Sequence, residues 1–213
     1  MHRNRGSTEQ KLLDAVAELV VAGGFAGLGV NAVAKAAGVD KVLIYRYFGG
    51  LDGLLEAFVL ERDYYANLDR HAEGLSLVRS REDLVVWARE LMVGQYRALR
   101  EDPVFREIVL WQVTTDSPVT QALAAERERR GTQLLERLRL LLGGEGPDLP
   151  AVTALLTGGA YYLALASERS AVFNGIDLRS DDGRHRIEAA IETVVSLVIT
   201  ATPGAFGSGR NNE

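Results

Sequence analysis

Apolar residues recur along this chain at steps of three and four, and this spacing constrains the fold more than any other feature. The first such stripe precedes Gly23-Gly24 and consists of Leu12, Leu13, Val16, Leu19 and Val20. Steps of three and four place side chains on one face of an α-helix, whereas a half-buried strand needs strict alternation. No segment alternates clearly enough to predict a strand. The pattern therefore predicts an all-α protein.

Capping residues mark where these helices begin. The capping-box signature, in which a serine or threonine side chain and a residue three positions later bond each other's amides, occurs at Ser7-Gln10 and at Ser80-Asp83. Asp102-Pro103 and Ser117-Pro118 place proline at a first helical position, where its missing N–H is harmless. Nine helices are predicted, at about residues 7–23, 31–37, 41–48, 51–72, 80–100, 103 onward, 117–142, 151–172 and 180–200.

The charge distribution separates the beginning of the chain from the rest. The 213 residues carry a net charge of −5, yet residues 1–50 hold six basic and four acidic side chains, including all three lysines. A small basic module on an acidic body is typical of local contact with DNA. Cysteine is absent, which excludes disulfides and cysteine-based metal sites or nucleophiles. No apolar leader follows Met1, so we expect a cytoplasmic protein.

Residues 30–48 form the most informative segment, because two short predicted helices flank Gly38 there. Glycine ends the first helix by adopting the left-handed conformation, and Asp40 is placed to cap the second helix through its carboxylate. Ala34 is small, as a close helix crossing requires. The small core between the two helices is predicted to contain Val33, Ala37, Val39, Ile44 and Phe48.

The second helix of this pair has an outward face made of Lys41, Val42, Tyr45 and Arg46, which are related by steps of three and four. Cations and hydroxyls bond phosphates or guanine edges, and a valine can contact a thymine methyl. The alternative is an ordinary helical hairpin with a solvated basic face. The order of small residue, glycine, short turn and aromatic cluster favours a DNA-binding helix-turn-helix.

The run from Leu12 to Phe58 resembles the N-terminal domain of the TetR family of bacterial regulators. The resemblance rests on Gly24-Phe25, Val33-Ala34, Ala37-Gly38-Val39, Ile44-Tyr45-Arg46-Tyr47-Phe48 and Leu54-Leu55. It implies that Tyr45 and its neighbours touch DNA and that the start of the second helix meets phosphate. The DNA-binding residues expected on this basis are Asn31, Lys41, Val42, Tyr45, Arg46 and Tyr47. The chain departs from the family pattern at Gly29, where serine or threonine is usual, and at Gly49 and Leu51, near which lysines are usual.

The same resemblance implies a domain organisation and a function. We expect a helix-turn-helix domain over residues 1–50, a helical effector-binding and dimerisation domain over 51–202, and a disordered tail over 203–213. The expected function is that of a homodimeric repressor, which a small-molecule effector releases from a partly palindromic, double-stranded operator. An activator or a ligand-blind regulator on the same fold remains the alternative.

The uncharged run from Leu149 to Ser167 raises the question of a membrane span, but it contains proline, threonines and glycines and favours a buried helix without membrane contact. Glycines let two helices approach closely, and the last predicted helix has its own apolar stripe. In the TetR family the last two helices form a four-helix dimer bundle. The expected interface contains Leu155, Gly158, Gly159, Tyr162, Ile191, Val194, Val195 and Val198.

The middle helices hold most of the large aromatic residues, which are typical both of a small-molecule pocket and of ordinary core. By resemblance, this region binds the effector. The expected ligand-binding residues are Tyr65, Trp87, Tyr96, Trp111 and Gln112.

Other chemistries are poorly supported by the sequence. Gly27-Leu-Gly29-Val-Asn-Ala32 fits a dinucleotide-binding fingerprint but follows a predicted helix rather than a strand. His2, His71 and His185 lie far apart and lack partners at metal-ligand spacing. An all-α enzyme using the central cavity is disfavoured, because no nucleophile–base pair is evident. We therefore expect no catalytic residue, no metal and no cofactor.

Overall fold

The computed structural model describes residues 2–62, 66–143 and 146–202. Helices dominate the described residues, which confirms the all-α prediction. The ten α-helices are α1 (His2–Gly23), α2 (Val30–Ala37), α3 (Val42–Phe48), α4 (Leu51–Arg62), α5 (Ala66–Gly74), α6 (Arg81–Glu101), α7 (Pro103–Thr114), α8 (Pro118–Leu141), α9 (Leu149–Ala166) and α10 (Asp181–Ala201). Short 3-10 helices occur at Phe25–Gly27 and Leu75–Leu77.

Two helix boundaries differ from the predictions. The single helix predicted over residues 51–72 corresponds to α4 and α5, with residues 63–65 lying outside the described part of the chain. Helix α1 begins at His2, so Ser7 lies inside it and cannot cap it. The capping interpretation of Ser7 was therefore wrong, and the good helix propensity of the arginines before it is consistent with the longer helix.

The absence of strands was also predicted wrongly. The chain leaves α9 at Ala166, not at residue 172, and then forms an antiparallel hairpin of β1 (Val172–Phe173) and β2 (Ile176–Asp177). Asn174 and Gly175 make its turn with φ angles of +48° and +75°. An Asn-Gly pair favours the type I′ turn, whose twist matches that of two paired strands. This dipeptide was the available signal for the hairpin, and the sequence analysis did not use it.

The other capping predictions are confirmed by hydrogen bonds. The Ser80 amide donates to Asp83 Oδ2 at 3.0 Å, and the Asp83 amide donates to Ser80 Oγ at 3.0 Å. The Arg79 amide and then the Ser80 hydroxyl hold the pKa of Asp83 below its ordinary value, since both donate to the charged carboxylate. At α7, Asp102 Oδ1 accepts from the Val104 amide at 2.8 Å. These caps satisfy amides that the helices themselves leave unbonded.

The chain divides into two compact units. The first consists of Met1–Tyr64 with Asp102–Glu126, and the second of Tyr65–Glu101 with Arg127–Glu213. In the first unit, α1 packs against α2, α4 and α7. Its fully buried side chains include Leu12, Val16, Val20, Val33, Ile44 and Leu54. The domain limits expected at residues 50 and 202 stay predictions, and the tail 203–213 lies outside the described residues.

Helix α6 is the centre of the second unit, where α9 and α10 both pack against it. A buried carboxylate ties α10 to α6, because Arg97 Nη2 donates to Glu188 Oε2 at 2.6 Å and Arg97 Nε donates to Glu188 Oε1 at 3.0 Å. The hydrogen bonds from Arg97 lower the pKa of Glu188 despite its burial. Arg81 Nη1 also donates to the carbonyls of Ile199 and Thr202 at the end of α10. These contacts fix α10 along the full length of α6.

Candidate functional sites

Helices α2 and α3 form the turn that the sequence predicted around Gly38. Gly38 adopts the left-handed conformation with φ +66°, and the Val39 amide donates to the Ala34 carbonyl at 3.0 Å. Asp40 Oδ1 accepts from the Val42 amide at 2.8 Å and so caps α3. Both local predictions are confirmed. They matter because the turn sets the direction in which α3 leaves α2.

A small core holds the two helices together. Val33, Ala34 and Ile44 are buried, whereas Ala37, Val39 and Phe48 are only half-buried. Burial of Val33 and Ile44 from both sides removes two large aliphatic side chains from water, which stabilises a pair of helices too short to persist alone.

The opposite face of α3 is exposed. Val42 and Tyr45 are 51% and 57% exposed, and Lys41 and Arg46 are also exposed. These four residues lie along one side of the helix. The two cations, the tyrosine hydroxyl and the valine methyl groups therefore project in the same direction. Of the other two predicted DNA-binding residues, Asn31 is exposed in the first turn of α2, while Tyr47 is half-buried.

Gly53 fixes where α3 ends, although the sequence interpretation did not single it out. A Cβ at this position would lie 1.9 Å from the Phe48 carbonyl oxygen, so only glycine fits. Gly49 and Gly50 have φ angles of +77° and +145°, which few other residues adopt. The three glycines let α4 begin directly against the end of α3. A glycine within the first turn of a predicted helix was the available signal.

Trp111 and Gln112 lie in the first unit, together with the helix-turn-helix. The Trp111 ring is buried and stacks on Phe25, with centroids 4.1 Å apart and planes inclined by 3°. Glu107, one turn earlier on α7, places Oε2 2.9 Å from the point where a Cβ at Gly24 would stand. Gln112 is half-buried. Helix α7 therefore packs closely on the turn that follows α1.

A cavity of about 410 Å³ opens in the second unit. Its lining comes from α5, α6 and α10 and consists of His71, Val86, Arg89, Glu90, Val93, Gly94, Arg97 and Glu192. Arg89 and Glu192 form an ion pair in this lining. The cavity thus presents both aliphatic surface and charged groups.

The predicted ligand-binding aromatics in the second unit lie behind this cavity or away from it. Trp87 Nε1 donates to the His71 carbonyl at 2.9 Å, and the two rings meet edge to face at 6.3 Å. Tyr96 is fully buried in the core. Tyr65 lies outside the described residues. Of the predicted set, Trp87 therefore contacts a residue of the cavity lining.

Helix α9 is uncharged, and few of its residues are fully buried. Within the described residues it is a helix long and apolar enough to cross a membrane by length and composition, with mean hydropathy 1.4. Only 11% of its residues, Ala160 and Ala164, are buried. The sequence predicted a buried helix, and this was wrong for the single chain. The reason is that α9 packs on α6 and buries these two alanines, whereas Leu155 and Tyr162 are exposed.

The predicted dimer residues fall into two groups. On α9, Leu155 and Tyr162 are 77% and 56% exposed, and Gly158 and Gly159 are exposed between them. On α10, Val194 is exposed and Val198 is half-buried. Ile191 and Val195 are instead buried in the core of the chain itself. Ile191 and Val195 are four residues apart, so they share one face of α10, and that face is buried within the chain.

Comparison with known proteins matches the N-terminal part of the chain to a family. Residues 12–58 match the family described as "Bacterial regulatory proteins, tetR family". The sequence resemblance rests on the same interval. An uncharacterized HTH-type transcriptional regulator of Mycobacterium tuberculosis, found in two strains, is 27% identical over 143 residues. The alignment covers 66% of this chain and 64% of the relative, so it spans less than two thirds of the relative's length.

Solved structures resemble the whole chain in fold. A TetR family transcription regulator from Marinobacter aquaeolei VT8 has a TM-score of 0.60 at 22% identity, with 96% of this chain and 100% of that chain covered. RolR in complex with resorcinol has a TM-score of 0.51 at 17% identity, with 100% of this chain and 99% of that chain covered. These likenesses show a TetR-like fold, with an N-terminal helix-turn-helix and a larger helical region.

Proposed function

We propose that this chain, whose residues 12–58 match the TetR family of bacterial regulatory proteins, is a cytoplasmic transcriptional regulator that binds a partly palindromic operator as a homodimer. The observation that carries the proposal is the outward face of α3. A packed helix pair presents a lysine, a tyrosine and an arginine to solvent on one side, while its other side is buried.

The chemistry of this face suits the major groove. A helix fits that groove, where arginine and lysine bond guanine edges and a valine side chain can contact a thymine methyl. Tyr45 and Arg46 lie one residue apart near the middle of α3, and Lys41 lies at its start. Asn31, exposed in the first turn of α2, contacts a phosphate in this proposal. Phosphate contacts orient the protein, and the groove contacts select the sequence.

The homodimer in this proposal uses the exposed side of α9. A soluble chain rarely leaves a contiguous apolar face open to water unless another molecule covers it. Leu155 and Tyr162 supply the apolar area, and the exposed Gly158 and Gly159 allow two backbones to approach closely. Val194 and Val198 of α10 extend the contact, as in a bundle of four helices. Two-fold symmetry then presents two copies of α3 to two half-sites.

The regulatory part of the proposal is that the chain acts as a repressor, which a small molecule releases from the operator. The proposal does not make the chain an enzyme. The cavity lined by α5, α6 and α10 has a volume of about 410 Å³, within the range of ligand pockets. RolR, a structural neighbour, is described with bound resorcinol. An effector acts only by binding one conformer better than another, so it must favour the state in which the two copies of α3 no longer match the operator.

Alanine substitution of Tyr45 or Arg46 tests the role of α3. Each change is expected to weaken binding to the best duplex selected by the native protein by about 1 to 3 kcal/mol, because a base or phosphate contact is lost. Fluorescence anisotropy at physiological salt measures the affinity. Both side chains are exposed, so helix content and oligomeric state should stay unchanged.

Arg137→Ala on α8 is the control for Arg46→Ala. It removes the same charge from an exposed helical position outside the first fifty residues, and it should leave the affinity unchanged. Native affinity in both the Tyr45 and the Arg46 variants would remove α3 from the DNA interface.

A further inference from the structure

The hairpin of β1 and β2 is anchored firmly, although a two-stranded hairpin is marginally stable alone. Arg179, just after β2, donates from Nε to the Ser167 carbonyl at 2.7 Å and from Nη2 to the Glu168 carbonyl at 2.9 Å. Leu178 is fully buried, and its carbonyl accepts from Arg100 of α6. The hairpin is therefore held against the end of α9 and against α6 as a fixed feature.

This anchored hairpin presents apolar side chains to solvent. Val172 is 57% exposed and Phe173 is 38% exposed. The Phe173 ring meets the Tyr162 ring edge to face, with centroids 5.6 Å apart. Tyr162 ends the exposed stripe of α9, so the apolar surface continues from the helix onto Phe173 of the hairpin. We call this surface the α9–hairpin face and define it by Leu155, Gly158, Gly159, Tyr162 and Phe173.

We propose that the hairpin is part of the homodimer interface and that the α9–hairpin face is covered by the same face of a second copy of this chain. The inference rests on the dimer of the proposed function and adds to it a contact outside α9 and α10. It makes Phe173 a determinant of the strength of dimerisation.

The order of small and large side chains along the face favours a second copy of the chain as its binding partner. The two glycines lie at its middle on α9, while Leu155 lies to one side of them and the Tyr162–Phe173 pair to the other. A two-fold axis near the glycines brings the backbones together there and sets Leu155 of each copy against the aromatic pair of the other. An isologous interface requires this reciprocity, because each residue meets a partner that meets it in turn.

The charge distribution agrees with this occupant. Helix α9 carries no charged residue from Leu149 to Ala166, and the exposed, charged Glu168 and Arg169 follow just after its end. An apolar centre with a polar rim is the usual anatomy of a protein interface.

Phe173→Ser tests the proposal in the full-length chain. Loss of a buried interface aromatic is expected to raise the dissociation constant of the dimer about tenfold or more. Sedimentation velocity over a range of protein concentrations measures that constant. Val113→Ser is the matched control, because Val113 is an exposed apolar residue of α7 far from the face in sequence, and it should leave the constant unchanged.

The outcomes separate this inference from the proposed function. A dimer that is as tight with Phe173→Ser as the native protein, yet is dissociated by Gly158→Leu, overturns the hairpin contact and leaves the α9 dimer standing. A native protein that stays monomeric at every concentration overturns both. Weakening by Phe173→Ser with unchanged helix content supports the inference.

Discussion

Trp111→Ala is expected to lower the free energy of unfolding by about 3 to 5 kcal/mol, the usual effect of truncating a large buried aromatic. The Trp111 ring is buried and lies flat on Phe25 at a centroid distance of 4.1 Å. Its removal leaves a cavity between α7 and the turn after α1 and ends the stacking contact. Chemical denaturation followed by circular dichroism at a fixed protein concentration measures the change.

Two companion variants separate stacking from simple loss of volume. Trp111→Phe keeps an aromatic ring against Phe25 and should cost much less than alanine. In a double-mutant cycle with Phe25→Ala, the effects should fall short of additivity by about 0.5 to 1.5 kcal/mol, the coupling typical of an aromatic pair. If Trp111→Ala instead leaves stability within about 1 kcal/mol of native and abolishes only an effector response, Trp111 contacts the ligand.

Gly158→Leu is expected to abolish the dimer and, with it, tight operator binding. Gly158 is exposed, and a Cβ at this position meets nothing within 4 Å in the chain, so a larger side chain can extend into solvent. Leucine also favours the helix over glycine by about 0.8 to 1 kcal/mol, which should leave the chain at least as well folded. In the proposed dimer the same side chain stands where two backbones meet and forces them apart.

The loss of DNA affinity in this variant follows from losing the second half-site. Binding through two linked modules exceeds binding through one by about 10² to 10⁴-fold. Gly131→Leu, on α8, is the matched control, since a Cβ there also meets nothing within 4 Å. It should keep both dimer and affinity. A Gly158→Leu protein that sediments as a native-like dimer would place the interface elsewhere.

The features that sequence predicted well are those set by neighbours along the chain. Gly38 and Asp40 act within a few residues of themselves, and so do the caps at Ser80 and Asp102. Each satisfies or redirects backbone groups of the adjoining turn, so the residue type and its spacing were sufficient. The same holds for the exposed face of α3, which follows from helical periodicity once Ile44 is placed in the core.

The features that were missed depend on segments far apart in sequence. The stack of Trp111 on Phe25 requires knowing how whole helices pack. Its apolar composition identified α9 as a helix whose surface must be buried. Composition cannot distinguish burial within the same chain from burial against another chain. For the same reason the α10 stripe was assigned as one set, although Val195 faces inward and Val194 outward. The hairpin differs from these features, because its signal, the adjacent residues Asn174 and Gly175, is local in sequence.

The pocket aromatics show how limited composition is as evidence for a binding site. Tyr96 and Trp111 are buried, as core aromatics are, while the described cavity is lined largely by aliphatic and charged residues. Trp87 is the aromatic that contacts its lining, through His71. The aromatic-rich segment indicated where helices pack against one another. Only the folded structure distinguishes aromatic residues of the core from aromatic residues that line a ligand pocket.

Selection of bound duplexes from a random DNA pool by the native protein tests the central claim most directly. The account predicts one enriched motif made of two inverted half-sites, whose centres lie about one helical turn, roughly 34 Å, or a multiple of it apart. It also predicts that Tyr45→Ala or Arg46→Ala lowers affinity for that motif. A pool that shows no enriched sequence, or only a single half-site bound by one chain, would contradict a homodimeric regulator that reads DNA through α3.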